Sequence, residues 1–157
     1  MHKKVTGQRE KKKIDMPAKL LLSIDDEPMM LRCLTKALKG KGYDLIVTTD
    51  PEEGLRIAKE RDDICLALLD VKMPGKNGFE IYKELMQFKK IPVLFVTAFP
   101  RAFTAKSDEI VELWKQEFAD GTTDIIYKPF DLKTLFEKVE GLIGEPANSG
   151  EENECGQ

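Results

Sequence analysis

The chain has 157 residues and a formal net charge of −3 at pH 7, and 34% of its residues are charged. This length suits one domain with its own core and is short for two. The hydrophobic share of 41% excludes a disordered chain. No apolar run approaches the roughly 20 residues needed to cross a bilayer, so we expect one soluble domain without a membrane partner.

The ends differ in charge from the middle. Residues 1–18 form a basic arm and residues 145–157 an acidic tail, and both are expected to be flexible flanks of a domain over residues 19–144. The arm lacks the interleaved aromatics of single-strand binders, which favours a solvated tail over a nucleic-acid contact. Met16 is an alternative start of the native chain.

The cysteines and the N-terminus indicate the compartment. Cys33, Cys65 and Cys155 have neither metal nor redox spacing, and the first residues lack the apolar stretch of a signal peptide. We predict free, mostly buried thiols in a reducing cytosol, and hence a cytoplasmic protein.

In chain order, five short apolar runs alternate with amphipathic stretches. The runs show little in–out alternation, which is typical of strands covered on both faces. The predicted strands are Leu20–Ile24, Leu45–Thr48, Ile64–Leu69, Val93–Val96 and Ile125–Tyr127.

The stretches between the strands have helical spacing. The first predicted helix covers Pro28–Lys39 and ends at Gly40, a common cap residue. Asp50 should cap a helix that begins at Pro51, and Asp131 should cap the last helix. The residues predicted to face the core are Met30, Leu31, Leu34 and Leu38 in the first helix, Phe79, Tyr82, Leu85 and Met86 in the third, and Leu132, Leu135, Val139 and Leu142 in the last.

This alternation predicts an α/β fold of the flavodoxin-like (βα)5 type. Such a fold is a doubly wound parallel sheet with strand order 2-1-3-4-5, and it binds ligands at the carboxyl ends of its first and third strands.

The fourth connection is unusually long. Ile110, Trp114 and Phe118 recur every four residues between Thr97 and Gly121. We interpret them as a core-facing helix, with a partner or dimer surface as the alternative.

Polar residues end four of the five strands: Asp25 and Asp26, Asp70, Thr97, and Lys128. Two carboxylates ~4 Å apart repel by on the order of 4 kcal/mol at an effective dielectric near 20, so either some of them are protonated or a cation lies among them. Oxygen donors without His or Cys favour Mg²⁺. A metal, an ammonium and a hydroxyl around one carboxylate suit phosphoryl transfer, in which an Asp can act as the nucleophile.

Four motifs stand at these strand ends: Ile24-Asp25-Asp26-Glu27, Leu69 through Gly75 leading to Asn77-Gly78, Val96-Thr97-Ala98, and Gly121 through Lys128-Pro129-Phe130. In this order and spacing, the chain resembles the receiver (CheY-like) domain of bacterial two-component response regulators over Leu20–Ile143.

The resemblance implies a role for each residue. Asp70 would accept a phosphoryl group from a sensor histidine kinase or phosphotransfer protein. Asp25, Asp26 and Asp70 would hold Mg²⁺ with the backbone carbonyl of Lys72, Asp25 partly through water. Thr97 and Lys128 would bind the acyl phosphate, and Lys128-Pro129 would be a cis peptide. Phosphorylation would repack the face formed by the fourth helix, the fifth strand and the fifth helix.

Three residues depart from the family's usual pattern. Ile125 stands where an aromatic residue usually couples to the Thr movement. In the family, the positions of Lys72 and Phe99 border the path of the water that hydrolyses the acyl phosphate. A long Lys and a bulky Phe there predict slow self-dephosphorylation.

Two other functional classes remain. A degenerate receiver would act only as a protein-interaction module. A haloacid-dehalogenase-like hydrolase usually needs a second Asp where this chain has Lys72. The resemblance favours a signalling phosphoacceptor over an enzyme, one that promotes only its own phosphorylation and dephosphorylation.

The sequence also bears on partners. No output domain or helix-turn-helix pattern follows Ile143. We therefore expect a stand-alone receiver that signals through a separate output protein, acts as a phosphate relay or sink, or forms a homodimer, and that does not bind nucleic acid directly.

Overall fold

A computed structural model describes residues 17–98 and 122–146. Its five strands form one parallel sheet in the order β2-β1-β3-β4-β5, which confirms the predicted fold and strand order. The strands are β1 (Leu20–Ile24), β2 (Asp44–Thr48), β3 (Ile64–Asp70), β4 (Val93–Ala98) and β5 (Thr123–Lys128).

Helices cover both faces of this sheet, as parallel crossovers require. In the described ranges they are α1 (Pro28–Lys41), α2 (Pro51–Glu60), α3 (Gly78–Phe88) and α4 (Leu132–Ile143). Helix α4 corresponds to the fifth predicted helix. The predicted fourth helix, with Ile110, Trp114 and Phe118, lies outside the described residues, and so does Phe99.

The core has two layers, one on each face of the sheet. Helices α2 and α3 pack over Leu69 and Phe95, while α1 and α4 pack over Leu68 and Val96. Full burial of such a side chain contributes about 1.5–3 kcal/mol. Helices fixed on both faces make the carboxyl edge of the sheet a rigid base.

The predicted caps are present. Asp50 accepts a hydrogen bond from the amide of Glu52 at 3.1 Å, and Asp131 accepts one from Thr134 at 2.8 Å. These side chains satisfy amide protons that the first turn of a helix leaves unpaired.

Two details of the helix predictions are wrong. Helix α1 continues through Gly40 and is capped by Gly42. The backbone of Gly42 has a positive φ of 113°, and its N–H donates hydrogen bonds to the carbonyls of Leu38 and Lys39, which closes the last turn. Leu132 is exposed, because it opens α4 ahead of the turns that bury Leu135 and Val139.

The cysteines also differ from expectation. Cys33 is free but exposed, because it lies on the outer face of α1. Cys65 is buried in β3 and is disulfide-bonded, so the prediction of a free thiol is wrong for it.

The end of α4 is tied to the start of the domain. Lys19 is buried, and its Nζ donates to the carbonyls of Ile143 at 2.7 Å and Glu145 at 2.8 Å. The hydroxyl of Tyr43 donates to the Gly144 carbonyl at 2.9 Å. Ile143 is the last residue of α4, where carbonyls have no partner within the helix, and Gly144 and Glu145 follow it directly.

Among the described helices, none has the length and apolar character to cross a bilayer.

Candidate functional site

Three carboxylates meet at the carboxyl edge of the sheet. Asp25 follows β1 directly, Asp26 is next to it, and Asp70 ends β3, the strand that pairs with β1. Carboxylate oxygens of the three lie within 4.8 Å of one another. Asp25 is 1% exposed and Asp70 4%, whereas Asp26 keeps contact with solvent. The structure therefore brings together the acidic residues singled out in the sequence.

Backbone amides orient the two buried carboxylates. Oδ1 of Asp25 accepts a hydrogen bond from the amide of Glu27 at 2.9 Å, and Oδ1 of Asp70 accepts one from Lys72 at 3.3 Å. These bonds form because the chain turns sharply as it leaves each strand. They hold the side chains in place and leave other oxygens for a ligand.

Lys128, the last residue of β5, supplies a positive charge to this cluster. Its Nζ lies 3.3 Å from Oδ2 of Asp25, 3.8 Å from Oδ1 of Asp70 and 3.1 Å from Oε1 of Glu27. Burial by itself lowers the pKa of Lys128, but Asp25 and Asp70 raise it, and the net shift is upward. Lys128 is therefore a fixed ammonium, and its peptide bond to Pro129 is cis, as predicted.

The charge state of Asp70 depends on its surroundings. Burial and the neighbouring charge of Asp25 raise the pKa of Asp70 from 3.8 to about 7, against the opposing effect of Lys128. Near neutral pH, this carboxyl group is thus poised between its acid and its anion. A bound cation would favour the anion.

Thr97 lies beside this cluster. Its neighbour Val96 pairs with Asp70 in the sheet, Thr97 itself pairs with Tyr127, and Ala98 pairs with Lys128. Thr97 is buried.

The site opens into a crevice of about 490 Å³, lined by Asp26, Glu27, Asp70, Lys72, Met73, Pro74, Ala98 and Lys128.

Comparison with known proteins decides the family. The model of the response regulator receiver domain matches residues 21–140. The chain belongs to the response regulator receiver family. The DNA-binding response regulator MtrA of Mycolicibacterium smegmatis is 32% identical over 131 residues, which are 83% of this chain and 53% of that protein. The probable transcriptional regulator ycf27 of Porphyridium aerugineum is 34% identical over 128 residues, which are 82% of this chain and 49% of that protein.

Solved structures agree on the fold of this receiver domain. The chemotaxis protein CheY4 of Vibrio cholerae superposes with a TM-score of 0.65 at 24% identity, over 81% of this chain and all of CheY4. The receiver spans about half the length of the curated relatives it matches.

The oxygen atoms of the receiver site fit a hard divalent cation. Three carboxylates converge there without His or Cys, and Mg²⁺ prefers such oxygen ligands. Burial and the charge of Asp25 raise the pKa of Asp70 even though Lys128 lowers it, so this ammonium alone does not balance the carboxylates and a cation would stabilise them. The residues present therefore suit the cation that the family implies.

The receiver's loop between β3 and α3 contains features that the sequence reading missed. Asn77 accepts hydrogen bonds from the amides of Phe79 and Glu80, and the Glu80 side chain accepts one from the amide of Asn77. Lys76 contacts Glu84 and lies 2.8 Å from Glu52. An Asn followed three residues later by a Glu is the sequence signal of such a capping box.

Glu27 was the other omission from the predicted site. The motif after β1 contains Glu27 without assigning it a role, although its side chain contacts Lys128 and lines the crevice. Strand-end spacing does not indicate this contact, because Glu27 lies three residues beyond β1 and its side-chain direction is set by the turn before α1.

Proposed function

We propose that this receiver accepts a phosphoryl group on Asp70 from the phosphohistidine of a sensor histidine kinase or a phosphotransfer protein. One observation carries the proposal. The buried carboxylate of Asp70 faces a crevice of about 490 Å³ with the ammonium of Lys128 3.8 Å away and two further carboxylates beside it. Phosphoryl transfer requires mainly positioning and charge neutralisation, and these residues supply both.

In the proposed step, a carboxylate oxygen of Asp70 attacks phosphorus as the P–N bond to the donor imidazole breaks. The electron pair of that bond stays on the imidazole nitrogen, and the product is an acyl phosphate. Lys128 would pair with the phosphoryl oxygens, and the hydroxyl of Thr97 would donate a hydrogen bond to one of them.

Four groups would hold the Mg²⁺ on which this transfer depends. Asp26 and Asp70 would bind it directly, Asp25 partly through water, and Lys72 through its backbone carbonyl. When bound, the ion neutralises negative charge on the carboxylates and the transferring group.

The signal would leave through the face formed by the fourth predicted helix, β5 and α4. Phosphorylation adds charge near Thr97 and Lys128, and it would shift the population of that face toward its active arrangement. The partner would be a separate output protein or a second copy of the chain. Relatives such as MtrA are named as DNA-binding, so the absence of a direct nucleic-acid contact stays a prediction.

Intact-mass measurement tests the proposal directly. With acetyl phosphate and Mg²⁺, we expect the mass to rise by one phosphoryl group, and Asp70→Asn should prevent the increase. Asp62→Asn is the matched control, because Asp62 is fully exposed and pairs with Lys89 away from the crevice. An unmodified wild-type protein would favour the alternative of a pure interaction module.

A further inference from the structure

Glu27 occupies the N-cap position of helix α1 without capping it. Its backbone is extended, with φ −103° and ψ 106°, and its side chain makes no cap hydrogen bond. N-cap residues normally turn a side-chain oxygen toward the amides of the first turn. The carboxylate of Glu27 reaches into the crevice instead, while its own amide donates to Asp25.

There it makes the shortest contact of Lys128. Nζ of Lys128 lies 3.1 Å from Oε1 of Glu27, compared with 3.3 Å to Asp25 and 3.8 Å to Asp70. In this structure the ammonium is thus held closer to Glu27 than to the carboxylate it would serve after phosphorylation.

Glu27 is also the partner that can release Lys128 most easily. Its side chain is 60% exposed, whereas that of Asp25 is 2% exposed. Water can replace Lys128 at an exposed carboxylate but not at a buried one. Moreover, Glu27 is not part of the three-carboxylate cluster, so its departure would leave the cation ligands in place.

We propose that Glu27 is a positioning residue that competes with the phosphoryl group for Lys128 and so favours the unphosphorylated receiver. This inference rests on the proposed phosphoacceptor function. Formation of the acyl phosphate would require Lys128 to leave Glu27 for the new anionic oxygens. The loss of the ion pair with Glu27 would make the phosphorylated state less stable relative to the unphosphorylated one.

The test measures the affinity for beryllofluoride, a stable mimic of the phosphoryl group, at saturating Mg²⁺ by ¹⁹F NMR. Two variants separate position from charge. Glu27→Gln removes the charge, and Glu27→Asp keeps the charge but shortens its reach by one methylene. Glu60→Gln is the matched control, because Glu60 forms an exposed ion pair with Arg56 at 2.8 Å outside the crevice.

We expect both Glu27 variants to bind beryllofluoride about two- to fivefold more tightly than the wild type, the range of an exposed ion pair, with Glu60→Gln unchanged. Tighter binding by Glu27→Gln alone would mean that Glu27 only repels the anion, and it would overturn the positioning role. Unchanged affinity in both variants would overturn it too. A wild type that fails to bind beryllofluoride would instead refute the phosphoacceptor function itself.

Discussion

Gly78 begins helix α3 so close to Asp70 that a Cβ atom on Gly78 would stand 2.5 Å from the carbonyl oxygen of Asp70. The amide of Gly78 donates to the carbonyl of Val71 at 3.1 Å, which closes the loop after Asp70. The site and the start of α3 therefore cannot move independently.

Gly78→Ala tests this close packing. The added methyl group meets backbone rather than a flexible side chain, so we expect the free energy of unfolding to fall by about 1–3 kcal/mol in urea denaturation. Gly40→Ala is the control, because Gly40 lies in α1 with no atom within 4 Å of an added Cβ, and it should gain about 0.5–1 kcal/mol. A stable Gly78→Ala protein would contradict the packing argument.

The stability of the metal-free receiver should depend on pH through Asp70. Because the folded state raises the pKa of Asp70 from 3.8 to about 7, the folded protein holds this proton more tightly than the unfolded chain. The free energy of unfolding therefore falls as the pH rises from the pKa of the unfolded chain, 3.8, to that of the folded protein, about 7, and it falls no further above that pH.

Asp70→Asn removes this penalty. In EDTA, we expect the variant to be more stable than the wild type by on the order of 1–3 kcal/mol at about pH 8, with the difference shrinking toward about pH 5. Urea denaturation across this range measures the difference. Mg²⁺ should reduce the stability difference between the variant and the wild type at high pH, because it stabilises the wild type. A stability difference that does not change with pH would show that the titration of Asp70 is not its cause.

Lys128 would compete with the proposed Mg²⁺ for the same carboxylates. Its ammonium contacts Asp25 and Asp70, two of the proposed ligands. Lys128→Met should therefore tighten Mg²⁺ binding, by about threefold or more from the loss of a positive charge near the ion. Isothermal titration would measure the dissociation constant.

Lys133→Met is the control for that titration. Lys133 is an exposed lysine of α4 that pairs with Glu137, so its loss removes the same charge without touching the cluster. Weaker Mg²⁺ binding by Lys128→Met would show that Lys128 supports the ligands rather than competing with the cation.

The acyl phosphate should be long-lived. Lys72 is exposed and lines the crevice at the position that borders the water path in the family. Lys72→Ala keeps the backbone carbonyl proposed as a cation ligand and removes the long side chain. We expect it to shorten the phosphate half-life severalfold, measured by the decay of the phosphorylated mass after the donor is removed.

A wild-type half-life short enough for rapid, chemotaxis-like switching would contradict this prediction. The prediction of slow dephosphorylation also rests on Phe99, which lies outside the described residues. Lys72 is therefore the first side chain to substitute.

The positions of Asp25, Asp70, Thr97 and Lys128 at one edge followed from the sequence for a simple reason. Each ends a buried apolar run, and parallel strands bring all such ends together. The strand β1 was predicted to the residue, because its apolar run stops abruptly at two carboxylates. Burial and backbone pairing thus specify the location of the cluster.

Local turn geometry was harder to predict. The sequence predicts that the first helix ends at Gly40, and only the three-dimensional path shows that Gly42 takes the positive φ before Tyr43 enters the core. The contact between Glu27, in the turn before α1, and Lys128, at the end of β5, depends on side-chain rotamers that hydrophobic periodicity does not indicate.

The bonds from Lys19 and Tyr43 to the end of α4 bear on how this fold can be combined with other parts. They gather the entrance of the chain at β1 and its exit after α4 at the amino end of the sheet, opposite to Asp70. A second domain joined to the receiver before β1 or after α4 would therefore be attached at the end of the sheet opposite the crevice. The sensor kinase proposed as phosphoryl donor would then reach Asp70 from the opposite end of the sheet.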